Sequence, residues 1–250
     1  MCSSDLFNTD FSITLSTDTP SVIAPETIRY TTDGSSLSSC SNGSLYSTPI
    51  SINGTMTVKA IACDQGGNAS TEFSHLYTKD TTPPASPSIT INGGASHTNL
   101  SSVNLNLGVS DASEMYITNN AGCAGPVTWE GYSPTKASWG LEQTNSTATV
   151  YVKYRDAASN ESACASDTII HDNSAPTVTS VNSSTANGSY GVGSVISVQV
   201  NFDEVVTVSG TPTLSLDLDA GSKAINYASG SDTSTLTFDY TVAAGDNTSD

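Results

Sequence analysis

The sequence predicts an all-β chain of tandem β-sandwich domains in an extended array, and two observations carry that prediction. The first is internal repetition: Asn53 to Pro84 lines up without a gap on Asn145 to Pro176, 92 positions later, with 10 of 32 positions identical. A period near 92 is too long for a solenoid unit and fits one two-sheet domain. The second is the period-two alternation of apolar and polar residues in run after run, the mark of half-buried strands.

The elements follow in order. Domain one is expected over 1–83. Its opening Met1-Cys2-Ser3-Ser4-Asp5-Leu6 resembles the translation of a common sequencing adapter. Strands are expected in the alternating Phe11, Ile13 and Leu15, in Ile28-Arg29-Tyr30-Thr31-Thr32, around Tyr46 and Pro49-Ile50, and in Met56 to Ala62. In the repeat, Asn53, Thr55, Thr57 and Val58 return as Asn145, Thr147, Thr149 and Val150, a strand. Asp64, Asn68 and Ser70 return as Asp156, Asn160 and Ser162, a turn, and Asp80 and Pro84 return as Asp172 and Pro176. Domain two is expected over 84–175. Domain three is expected over 176–250, with strands in Ile196, Val198, Val200 and Phe202, in Leu214, Leu216 and Leu218, and in Leu236, Phe238, Tyr240 and Val242. It reads as truncated, because Asp250 falls in a turn with no final strand after it.

Seven basic against 24 acidic residues give a formal net charge of −17, a surface on which nucleic acid and anionic membranes are poor partners. Hydrophobic residues make up 36 %, enough over three domains for thin cores but not for one large one. No stretch approaches the roughly 18 apolar residues of a membrane helix, and no signal peptide opens the chain. Apart from Cys2, the cysteines fall two in each of the first two domains, which favours Cys40 with Cys63 and Cys123 with Cys164 among the three possible connectivities. With no C-x-x-C spacing and no His close by, disulfides in an oxidising compartment are expected over metal.

Tyr30-Thr31-Thr32-Asp33-Gly34-Ser35, then Tyr46, Pro49-Ile50 and Val58-Lys59-Ala60, resemble the C-terminal β-sandwich domain of chitobiase and β-hexosaminidases. Catalysis in that family resides in a separate barrel with an acidic pair that nothing here matches, so the resemblance implies an accessory sandwich without hydrolysis. Val150 to Asp156 followed by Asn160-Glu161-Ser162, and in domain three Phe202-Asp203-Glu204-Val205-Val206 and Thr237 to Asp246, resemble bacterial Ig-like repeats of large secreted adhesins. Together they imply Ig-like modules of an extracellular bacterial protein.

The junctions Lys79-Asp80-Thr81-Thr82-Pro83-Pro84 and His171-Asp172-Asn173-Ser174-Ala175-Pro176 are short and closed by proline, hence stiff. In an Ig-type sandwich the loop between the last two strands lies at the pole where the chain enters, so Asp80 should meet Asp156 and Asn160, and Asp172 should meet Asp246. Two carboxylates, an amide oxygen and linker carbonyls on one pole are ligands suited to Ca²⁺, which takes six to eight oxygens. Calcium stiffening of each junction is therefore one expectation. The competing one is that these Asp and Asn residues only shape turns through their own backbone.

An enzyme is the least supported class. His75, His97 and His171 stand singly, and no Gly-x-Ser-x-Gly elbow or phosphate-binding glycine loop occurs. Sugars stack on exposed aromatic faces. Of Trp129, Tyr132 and Trp139, Trp129 is the candidate glycan contact, because Trp139 before Gly140-Leu141 suits the core position of a sandwich. The sequence thus points to a non-catalytic, rod-forming adhesin or stalk whose partner is a cell-surface or matrix glycan or protein. The alternative is a set of carbohydrate-binding accessory modules on a secreted glycan-degrading enzyme.

Overall fold

The computed structural model describes residues 5–17 and 26–247. It is all-β, apart from one short 3-10 turn at Ala121–Cys123. The first set of strands is β1 (Asp5–Phe7), β2 (Phe11–Ile13), β3 (Thr27–Thr31), β4 (Ser44–Leu45), β5 (Ile50–Ile52), β6 (Met56–Cys63) and β7 (Phe73–Lys79). They form a five-stranded sheet in the order β1-β7-β6-β3-β4 and a two-stranded sheet, β2-β5. Phe11 and Ile13 of β2 pack with Leu15 against Ile50, Ile52 and Val58, so the expected alternation faces the core. Asp5 and Leu6, part of the adapter-like opening, lie in β1, which pairs parallel to β7 with Leu6 opposite Thr78.

The second set is β8 (Ala85–Ile91), β9 (His97–Thr98), β10 (Ser102–Ser110), β11 (Glu114–Thr118), β12 (Glu130–Gly131), β13 (Thr135–Gly140), β14 (Ser146–Arg155) and β15 (Ala165–His171). Its sheets are β13-β10-β8 and β12-β11-β14-β15-β9. Ile91, Leu105, Val150, Val152, Tyr154 and Ile169, all essentially without exposure, close the space between them. Here too a short early strand, β9, runs parallel to the last one, β15.

The third set is β16 (Val178–Ser183), β17 (Val195–Val206), β18 (Thr213–Leu218), β19 (Gly221–Ser229) and β20 (Thr233–Thr241), ordered β16-β17-β20-β19-β18. Leu236, Phe238 and Tyr240 on one face of β20 are buried, whereas Leu214, Leu216 and Leu218 of β18 are half-buried. The first two sets are two-sheet, Ig-like β-sandwiches in tandem, whereas the third, expected as an incomplete sandwich, forms one five-stranded sheet among the described residues. The chain divides into two compact units, Met1–Asn173 and Ser174–Asp250. The first two sets of strands thus share one unit, and the linker between them is anchored at both edges: the Asp80 N–H donates to the Phe7 carbonyl (2.9 Å), and the Asp80 carbonyl accepts from Asn160 (2.9 Å).

Candidate functional site

The repeated turn folds the same way twice. In the first sandwich, Asp64 Oδ1 accepts from the Asn68 N–H (2.8 Å) and Asp64 Oδ2 from Asn68 Nδ2 (2.8 Å). In the second, Asp156 Oδ1 accepts from the Asn160 N–H (2.9 Å) and Asp156 Oδ2 from Asn160 Nδ2 (2.9 Å). The serine two residues on locks each loop to its strand. The Ala62 N–H donates to Ser70 Oγ (3.0 Å) and the Tyr154 N–H to Ser162 Oγ (3.0 Å), while the Ser70 and Ser162 N–H groups donate back to the same two residues. Both loops need one left-handed residue, Gly67 (φ +81°) in the first and Ser159 (φ 70°) in the second. The Asn68 hydrogen bonds, side chain first and backbone second, hold the Asp64 carboxyl below its ordinary range.

What differs is the surroundings. Asp64 is exposed, while Asp156 is buried (4 %) because the linker passes over it. There Asn160 Nδ2 donates to the Asp80 carbonyl (2.9 Å) as well as to Asp156, so one amide latches the linker to the loop. The Asp80 carboxylate turns back into the linker and accepts from the Thr82 N–H (2.9 Å). At the first junction the backbone carbonyl of Asp80 thus meets Asn160, whereas the Asp80 carboxylate, expected to converge with that of Asp156, is bonded within its own linker.

The second expected pairing involves residues of different units. The Asp172 N–H donates to the Thr98 carbonyl (2.9 Å). Asp246 Oδ2 accepts from Lys223 Nζ (2.8 Å), the Tyr240 hydroxyl (2.5 Å) and the Ala243 N–H (2.7 Å). Lys223, then the Tyr240 hydroxyl, then the Ala243 N–H hold the Asp246 carboxyl at about 2, and Asp246 in turn pushes the Tyr240 phenol up to about 12. Nothing in the spacing of the sequence announced Lys223 as the partner, because it lies on a neighbouring strand 23 positions away.

Among the described residues no three His, Cys, Asp or Glu side chains come together as a metal cluster would require. At the first junction a calcium ion could draw on the Asp156 carboxylate, the Asp80 carbonyl and the Asn160 amide oxygen. The amide would first have to turn, because it now presents its nitrogen to both other groups.

The cysteines pair as expected: Cys40 with Cys63 and Cys123 with Cys164. The first ties a loop to the end of β6, and the second ties the 3-10 turn to the residue before β15. Trp129 is half-buried, with the Arg155 guanidinium 4.6 Å from its ring centre and Tyr116 against it edge-on. Trp139 is also half-buried. It packs on the second core, and its Nε1–H donates to Asn119 Oδ1 (3.0 Å). A groove of about 420 Å³ opens at Trp139, lined also by Asn119, Asn120, Thr128 and Glu142. Trp129 is not among its lining residues. His75 lies between Phe73 and Tyr77 on β7 with Asp5 3.4 Å away, and His97 Nδ1 is 2.9 Å from Ser96 Oγ. His171 is buried (1 %), with Nδ1 accepting the Asn145 N–H (3.0 Å). Asn145 Oδ1 accepts the Asn173 N–H (3.0 Å), so Asn145 fastens the end of β15 from two directions. The sequence did carry a signal for this, since Asn145 is one of the identical positions of the repeat.

Residues 3–75, under a third of the chain, match the family model described as the chitobiase/beta-hexosaminidase C-terminal domain. No curated protein matches. Seven chains of solved structures do. One belongs to the CbhA fibronectin(III)-like modules of Clostridium thermocellum, at 15 % identity over 68 % of this chain and 90 % of that one, with a TM-score of 0.38. Another is SGBP-B of the mixed-linkage glucan utilization locus of Bacteroides ovatus, solved in complex with a mixed-linkage heptasaccharide. It is 12 % identical over 99 % of this chain and 57 % of that one, with a TM-score of 0.23.

Proposed function

We propose that this chain is a non-catalytic part of an extracellular bacterial surface or secreted protein, in which tandem Ig-like sandwiches act as a spacer that holds neighbouring modules at a set distance. The observation that carries this reading is the latch from Asn160 Nδ2 to the Asp80 carbonyl, a contact that fixes a linker to a loop of the next sandwich. A joint made this way transmits orientation, because the amide is itself held by a buried carboxylate. The two disulfides suit an oxidising compartment outside the cell. The rod-forming adhesin or stalk is the finer form of the proposal, and calcium binding at Asp80, Asp156 and Asn160 is a further part of it.

Small-angle scattering of the whole chain in calcium and in chelator, with a calorimetric titration, tests both. The wild-type chain keeps one shape distribution at its first joint, and Asn160→Ala broadens it while both sandwiches stay folded. Heat of binding that is lost in Asp156→Asn supports the calcium part, and a titration without heat removes it. If Asn160→Ala leaves interdomain motion unchanged by NMR relaxation, the spacer reading fails.

A second reading, a carbohydrate-binding accessory module, draws on the match of residues 3–75 and on the groove at Trp139. Its measurement is a glycan array read for wild type and Trp139→Ala. Binding that survives the substitution removes the groove from this reading.

A further inference from the structure

The two sandwiches of the first unit follow one plan and differ at one edge. Strand β10 is paired on both sides, with β13 on one and β8 on the other, whereas its counterpart β2 pairs only with β5 among the described residues. β8 is the segment that follows the latched linker. It runs antiparallel to β10, with Ile89 opposite Leu107 and Ser88 opposite Gly108. Ile89 and Ile91 enter the core, and the Tyr154 hydroxyl donates to the Ser88 carbonyl (2.9 Å). The Ile91 N–H donates to Asp167 on β15 (2.8 Å), so β8 is held from both sheets.

Ninety-two positions before Leu107, Val109, Val152, Tyr154 and Ser162 stand Leu15, Thr17, Ala60, Ala62 and Ser70. Those five residues line an open groove of about 760 Å³, with Phe73, 52 % exposed, also in its wall. By this offset the groove of the first sandwich corresponds to the place that β8 fills in the second. Beside it lies the Asp64–Asn68 loop, which has the same hydrogen bonds as the loop that latches Asp80, but on an exposed surface.

We propose that this groove and loop together receive the linker and first strand of another β-sandwich module. The incoming segment has the chemistry of residues 80–91: an aspartate whose carbonyl meets the Asn68 amide, proline three or four positions on, then alternating apolar residues that pair antiparallel with β2. Ladder hydrogen bonds along the end of β2 and the residues that follow it, 13–17, supply the affinity and the apolar side chains set the register, as in strand addition to any open sheet edge. Ala60 and Ala62 stand where the second sandwich has Val152 and Tyr154, so the incoming strand has room for a larger side chain than β8 presents. The proposal rests on the array reading above, and its test fails separately from the test of the Asn160 latch.

The test places the sequence of residues 80–91 directly before Met1 of the whole chain. Residues 1–4 then supply a connection close in length to 92–96, which joins β8 to β9. Hydrogen exchange is compared for the unextended chain, the extended chain, and an extended chain with Ile89→Asp and Ile91→Asp in the added segment only. At least tenfold slower exchange of the amides at 14–17 and 60–62 is expected with the extension, and its reversal with the two aspartates. The free 12-residue peptide, added to the unextended chain at millimolar concentration, slows the same amides. Three results would overturn the proposal: no slowing in the extended chain, full protection of those amides already present in the unextended monomer, or a dimer in sedimentation that protects them by exchanging β8 between copies.

Discussion

At the scale of the residue, the duplicated loop is an internal control. Asp156 and Asp64 make the same two bonds to an asparagine four positions on, but only Asp156 is buried. Removing a buried acceptor strands its donors, at a cost of about 1–3 kcal/mol, whereas water can replace an exposed one. Asp156→Ala should therefore lower the unfolding free energy of the second sandwich by about 1–3 kcal/mol in urea titrations, and Asp64→Ala should lower that of the first by visibly less. Gly67 and Ser159 provide a second comparison at one backbone position. A side chain in the left-handed region costs about 1–2 kcal/mol, so Gly67→Ala should destabilise by about that amount and Ser159→Gly should not destabilise. Equal losses for both would show that φ is not what the position selects. These roles could be read partly from sequence, because identity across 92 positions marked Asp64, Asn68 and Ser70 as a unit. Which copy is buried could not be read, since that depends on a linker folding back over one pole.

At the scale of the element, strands were legible wherever alternation ran for three or more apolar positions. β17 and β18 contain all their expected residues, whereas Leu15 falls past β2, Val242 past β20, and Asn53, Thr55 and Asn145 ahead of β6 and β14; the Trp139 indole packs on the second core as its position before Gly140-Leu141 suggested. The short strands β1, β9 and β12 were not legible. Two or three residues carry no period, and their pairing is fixed by neighbours far away in sequence. The disulfides could be assigned because each pair falls within one predicted domain. Their loops span 23 and 41 residues, so each cross-link should contribute about 3–4 kcal/mol. Replacing Cys123 and Cys164 by serine should lower the melting temperature of the second sandwich and leave the first unchanged. The Lys223–Asp246–Tyr240 cluster joins β19, the end of β20 and the turn after it, and predicts a pH response. Asp246 titrates at about 2 in the fold against an ordinary 3.8, so its contribution is complete above pH 4 and is lost as pH falls toward 2. Tyr240 is raised to about 12 from 10, so its contribution is complete below pH 10 and is lost as pH rises toward 12. Thermal melts of the chain and of Asp246→Asn across pH 2–5 check the acid limb. Parallel curves would exclude the cluster as its source.

At the scale of the whole molecule, the net charge of −17 on a surface rich in short polar side chains keeps modules soluble at high local density without Lys or Glu in quantity. With so few cations to pair, salt should change thermal stability only slightly between 50 mM and 500 mM. A large salt-induced gain would mean that self-repulsion among the acidic groups, and not core packing, limits the fold. The pairing of β1 with β7 and of β9 with β15 bears on load. In each sandwich an early strand lies parallel to the last one, so tension applied to the two ends of that strand pair pulls adjacent strands past each other along their length. Their few bridging hydrogen bonds then bear force together, in shear, and do not peel open one after another. A chain so built would resist being drawn out by flowing liquid far better than its modest apolar content suggests.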